Sequence, residues 1–126
     1  METLLRSLLL ILGVASIGIS LAHIILGPGA IPGSIPVNAT MDSQDRFFAA
    51  LFLAYGVAVL WCLKDWRSRL FEIRVLVAVL FVGGLARLVS IAIVGLPHPF
   101  YVTMTIVEIV LPLAVAWLAA RVDGES

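Results

Sequence analysis

The sequence predicts an all-α fold, a four-transmembrane-helix up-down bundle, and three observations carry that prediction. Hydrophobic residues make up 62% of the 126-residue chain and charged residues only 13%, where a soluble domain is about half apolar and about a quarter charged. The apolar residues fall into four runs, about 4–26, 45–63, 70–94 and 100–120. At about 1.5 Å per residue, runs of this length cross most or all of an apolar layer about 30 Å thick. Prolines, glycines and charges collect between the runs, where the chain must turn. The length allows one integral membrane domain, 1–126, and short connections make consecutive helices antiparallel neighbours.

The first run, Leu4 to Leu26, is interrupted only by Arg6 and a few small or weakly polar residues. One arginine before a leucine-rich stretch also opens a signal peptide. This run is longer than a typical signal core, and it is expected as a retained helix. Gly27 to Gln44 follows, with three prolines and three glycines between Gly27 and Pro36, a density that forbids regular helix or strand. The loop is too apolar for a solvated linker, and Ile31, Ile35 and Val37 are expected to fold back onto the bundle or the membrane interface. Asn38-Ala39-Thr40 matches a glycosylation sequon, a triplet common enough by chance to carry little weight.

The second helix is expected from about Asp45 to Leu63, capped by Asp42 or Ser43. Lys64 to Arg69 forms a charged turn, with Trp61 and Trp66 where interfacial aromatics sit. The third helix runs from about Leu70 to Val94, Gly95-Leu96-Pro97-His98-Pro99 makes a tight turn, and the fourth spans about Phe100 to Ala120. Arg121 to Ser126 reads as a polar tail. The lone Cys62 excludes an internal disulfide and any CxxC motif, and serves as a small apolar filler.

Orientation follows from the basic residues. Arg6, Lys64, Arg67, Arg69, Arg74 and Arg121 fall on the side carrying both termini, and only Arg46 and Arg87 lie toward the other. The positive-inside rule then predicts a multi-pass protein of the cell inner membrane with both termini cytoplasmic. Net charge is zero and no basic run exists, so nucleic acid is excluded as a partner.

The polar residues inside the runs are few. Arg87 lies eight residues before Gly95 and Glu108 eight residues after Phe100, so both sit roughly 12 Å from the outer ends of consecutive antiparallel helices. A lone charge at mid-helix costs about 2.5–3.5 kcal/mol on insertion scales, and equal depth lets these two answer each other. Gly83, Gly84 and Ser90 give Arg87 a small face, suited to close approach. Pro112 lacks the N–H that would bond the Glu108 carbonyl. Arg87, with five donors, is therefore expected to meet both the Glu108 carboxylate and that carbonyl, directly or through water. His23, Ser20 and Ser16 form a weakly polar stripe, Ser16xxxSer20 being also a helix-packing signal. Asp45 and Arg46 mark the outward mouth, Tyr55 reaches a depth near Arg87, and His98 is expected to be solvated. The outward half thus gathers His23, Arg46, Tyr55, Arg87, Ser90 and Glu108 as candidate ligand-binding residues, while the inward half is nearly all aliphatic.

For Arg87–Glu108 three readings stay open: a clamp fixing helix register, a ligand, ion or lipid-headgroup site, and a catalytic or proton-carrying pair. His23 and His98, some 75 positions apart without HxxxH or HxxE spacing, make a weak metal case. No nucleophile–base constellation is visible. No catalytic residue, metal or cofactor is therefore assigned, and the protein is read as non-enzymatic.

Several motifs taken in order resemble a known family. Gly27-Pro28, Asp45-Arg46-Phe47, Gly83-Gly84-x-x-Arg87-x-x-Ser90, Gly95-x-Pro97 and Glu108 are similar to a bacterial membrane family of unknown function, domain of unknown function 4345, over about Leu8 to Ala120. The resemblance implies four membrane helices, draws attention to Arg46, Arg87 and Glu108, and supplies no mechanism. The expected function is an outward-facing polar pocket beneath the proline-rich loop. Its partners would be the lipid bilayer and a lipid, a small amphipathic ligand or a membrane-protein subunit, which includes a second copy. Alternative readings are a structural accessory of a larger membrane complex, and a proton-coupled carrier or membrane enzyme using Glu108.

Overall fold

A computed structural model describes residues 1–124 as four antiparallel helices. They are α1 (Glu2–Leu26), α2 (Ala39–Lys64), α3 (Leu70–Val94) and α4 (Pro99–Gly124), with short 3-10 turns at Gly27–Ala30 and Trp66–Arg69. Each of the four is long and apolar enough to cross a membrane. No strand occurs among the described residues. The fold is the all-α four-helix bundle that the hydrophobic runs predict.

Two boundaries move. The second helix starts at Ala39, about six residues before the expected Asp45, because Asn38 and not Asp42 or Ser43 is its cap. The Asn38 side chain accepts the Met41 N–H at 2.9 Å, an arrangement for which asparagine is among the best residues. The sequon asparagine is therefore a helix cap, and Asp42 falls in the first turn. The expected polar tail continues α4 to Gly124; its last two residues, 125 and 126, lie outside the described residues.

Both termini and the 65–69 turn meet at one end, here the terminal end. Glu2 pairs with Arg67, and Arg74 pairs with Asp123 at 3.3 Å. Arg69 lies 3.5 Å over the Trp61 ring and donates to the Trp61 carbonyl, and Arg121 lies 5.0 Å over Trp117. Trp61 and Trp117 are thus exposed rings with guanidinium partners. Trp66 is buried against the core, with the Arg67 guanidinium 4.5 Å from its ring centroid.

Packing is uneven along the bundle. Leu5, Leu9 and Leu12 of α1, Val59 and Cys62 of α2, Ile73 and Val77 of α3, and Val115, Leu118 and Val122 of α4 form one aliphatic core, confined to the terminal half. From mid-bundle toward the other end, the loop end, the helices hold together as two hairpins. On α1–α2, a Cβ at Gly56 would lie 3.0 Å from the Gly13 carbonyl oxygen and the Ser16 Cβ. On α3–α4, a Cβ at Gly84 would lie 3.2 Å from the Glu108 backbone. Small residues let each pair of backbones approach closely. Between hairpins, α1–α4 and α2–α3 touch much more sparingly. The bundle is closed at its terminal end and splayed at its loop end.

The 27–38 loop bridges the splayed hairpins. Gly33 packs on His98 of the α3–α4 turn, where an added Cβ would come 3.1 Å from the His98 Cβ. Ile31 is half-buried, whereas Ile35 and Val37 are exposed and do not fold back onto the bundle. Gly27 and Pro28 are buried instead.

Candidate functional site

The splay leaves a cavity of about 560 Å³ at the loop end, walled by all four helices and roofed by Ala30 and Pro32. Its polar groups come from specific faces. On α2, Asp45, Phe48, Phe52 and Tyr55 recur at spacings of three and four and share one face turned to the cavity. On α4, Tyr101, Met104 and Glu108 do the same.

Arg87 and Glu108 meet as their equal depth requires. The Arg87 Nε donates to Glu108 Oε2 at 2.6 Å. The pair is asymmetric: the Glu108 side chain is 8% exposed and that of Arg87 38%. The carboxylate is sealed against α3, where Gly84 lets the backbones close, and the guanidinium turns toward the cavity. Its carbon lies 5.3 Å from the centroid of the Tyr101 ring, within cation–π range. Arg87 makes no direct bond to the Glu108 carbonyl; its guanidinium leans to Tyr101. Thr105, one turn toward the loop end, is buried and donates to the Tyr101 carbonyl at 2.8 Å.

A second pair lines the wall. His23 Nδ1 sits 3.0 Å from both oxygens of Asp45. A carboxylate only accepts, so the Nδ1 carries the proton. Next along the stripe, Ser20 is buried and donates to the Ser16 carbonyl at 2.5 Å; Ser16 packs against Gly56 of α2. Tyr55 closes the opposite seam: its hydroxyl donates to the Leu76 carbonyl at 2.7 Å, joining α2 to α3, and its ring stacks on Phe52.

Two of the residues singled out from sequence are elsewhere. Arg46 does not reach the cavity. It pairs with Asp42 at 2.8 Å and donates to the Ile24 carbonyl at 2.6 Å, so it caps the C-terminal end of α1, where helix carbonyls lack partners. Neighbouring residues on a helix point about 100° apart; with Asp45 facing in, Arg46 faces α1. Gly27 fits beneath it with φ +67°, and an added Cβ would lie 2.6 Å from an Arg46 Nη. Ser90 is exposed and does not line the cavity. His98, expected to be solvated, accepts the Phe100 N–H at 3.1 Å through Nδ1 and so helps to start α4. Tyr101 and the Asp45 partnership of His23 were not anticipated. The recurrence of Asp45 with Phe48, Phe52 and Tyr55 on one helical face was the available signal.

Four helices long and apolar enough to cross a membrane, with a cavity at one end that holds the Arg87–Glu108 and His23–Asp45 pairs, are compatible with a small multi-pass membrane protein. Within that class the chain belongs to the family described as Domain of unknown function (DUF4345), whose model matches residues 4–119. No curated protein and no solved structure matches the chain.

Proposed function

We propose that this is a non-enzymatic inner-membrane protein whose loop-end cavity lies in the outward half of the bundle and binds a lipid or a small amphipathic molecule. The observation carrying the reading is the contrast between the two ends of one bundle. Aliphatic side chains pack solidly at the terminal end, while the loop end keeps about 560 Å³ open. That volume falls within the roughly 300–1,000 Å³ of small-molecule sites, which are mostly apolar with a few placed polar groups. Apolar walls with Arg87–Glu108 and His23–Asp45 set into them suit a molecule with a chain and a polar head. Orientation is supported by Arg6, Lys64, Arg67, Arg69, Arg74 and Arg121, which gather at the terminal end and favour cytoplasmic termini.

The test is native mass spectrometry of protein released from the membrane under mild conditions. Wild type should carry a retained amphiphile. Gly83 lines the cavity and has open space around it, so Gly83→Leu should fill the site and lose the adduct while the bundle folds normally. Wild type without an adduct, or an adduct unchanged in Gly83→Leu, contradicts the proposal.

A further inference from the structure

Taking the cavity as an amphiphile site, we infer that its guest carries an anionic head, a carboxylate or phosphate, bound by the outward edge of Arg87, with its chain leaving between α2 and α3.

The cavity's acids are already engaged. Both Asp45 oxygens face the His23 Nδ1, and Glu108 takes the Arg87 Nε. The cation of the deeper pair is not used up. Of five guanidinium donors Arg87 commits one, and Nη1 and Nη2 have no protein partner among the described residues. It is also the exposed member, 38% against 8% for Glu108. Two adjacent nitrogens in a planar fork match two oxygens of a carboxylate or phosphate, a charge-assisted and bidentate geometry. The Tyr101 ring beside the fork brings a hydroxyl that also has no hydrogen-bond partner among the described residues. The idle polar capacity around Arg87 is therefore mainly donor capacity, which an oxyanion satisfies and an ammonium group does not.

The route for the chain is set by exposure. Phe48 and Leu51 of α2 and Val79 of α3 line the cavity yet are 60%, 53% and 56% exposed. The cavity thus opens sideways between α2 and α3, toward whatever surrounds the helices. For helices of this length and apolarity that surrounding is hydrocarbon, so the guest reaches the site from the bilayer rather than from water. A free inorganic anion has no apolar part to occupy the rest of the volume.

Four probes of equal chain length separate the possibilities: dodecanoate, dodecyl phosphate, dodecanol and dodecyltrimethylammonium. Each is titrated into the full chain in non-ionic micelles, with inorganic phosphate and acetate alongside, and binding is read by native mass spectrometry. The two anionic amphiphiles should bind at least about tenfold tighter than the alcohol and the cation, as a charge-assisted hydrogen bond of about 1.5–3 kcal/mol requires. The free anions should not bind. Arg87→Gln/Glu108→Gln removes both charges together and leaves no buried ion unpaired; it should keep chain binding and lose the preference for anions. Equal binding of all four probes, or preference for the cation, overturns the inference and leaves the amphiphile site standing. A preference that persists in the double variant overturns the assignment to Arg87. Tight binding of free phosphate or acetate overturns the amphiphile source, and failure of every probe to bind removes the site itself.

Discussion

Removing one member of the Arg87–Glu108 pair should cost more than removing both, and the cost should depend on which member goes. In Arg87→Leu, a carboxylate only 8% exposed loses its one hydrogen-bond donor among the described residues. The lost charge-assisted bond is worth about 1.5–3 kcal/mol, and stranding a buried charge brings the total to about 3–5 kcal/mol. In Glu108→Leu, the guanidinium is already 38% exposed and lies beside Tyr101. It can extend into the cavity toward water or headgroups, so the cost should be about 1–2 kcal/mol. Arg87→Leu/Glu108→Leu exchanges the pair for aliphatic packing and should lie within about 1 kcal/mol of the parent. The coupling between the sites is then at least about 3 kcal/mol. Equilibrium unfolding in mixed micelles reads this, with the buried Trp66 reporting on the core. Equal costs for the two single variants, or costs that simply add, would refute the asymmetric clamp.

The other predictions concern the contacts that shape the cavity. Gly27→Ala forces a side chain into φ +67° and against Arg46, and should lower stability by about 1–3 kcal/mol in the same titration. Gly56→Val puts atoms against the Gly13 carbonyl and Ser16 and should cost about 1–3 kcal/mol by prising α1 from α2. Gly83→Ala meets open space and should be neutral or stabilising by up to about 1 kcal/mol; a loss there as large as at Gly56 would contradict the splay. Tyr55→Phe removes the hydroxyl that bridges to Leu76 and should cost about 1 kcal/mol, while an unchanged unfolding midpoint would show that the seam does not depend on it.

What could be read from the sequence was one-dimensional. Hydropathy, with Gly27-Pro28 and Gly95-Leu96-Pro97 as punctuation, set the four helices. Counting residues from the turns put Arg87 and Glu108 at one height, and height suffices for a pair on consecutive antiparallel helices. Rotation about each helix axis was not legible in the same way. Ser90 shares a side of α3 with Gly83 yet lies two turns nearer the 95–98 turn, where it is exposed and outside the cavity lining, so spacing alone misplaced it. Arg46 looked like part of the mouth because it follows Asp45, but the step of about 100° between them turns it toward the end of α1. Its i,i+4 partner Asp42 and the open carbonyls ending α1 were the better guide. The splay itself depends on how the two hairpins meet, and no local pattern encodes that.

The most direct measurement is a density map of the protein in lipid nanodiscs, inspected between α2 and α3 at the loop end. An elongated density ending within hydrogen-bond reach of the Arg87 Nη atoms is the expected result. A cavity collapsed by contact of α2 with α3, or one holding only water, would contradict the account.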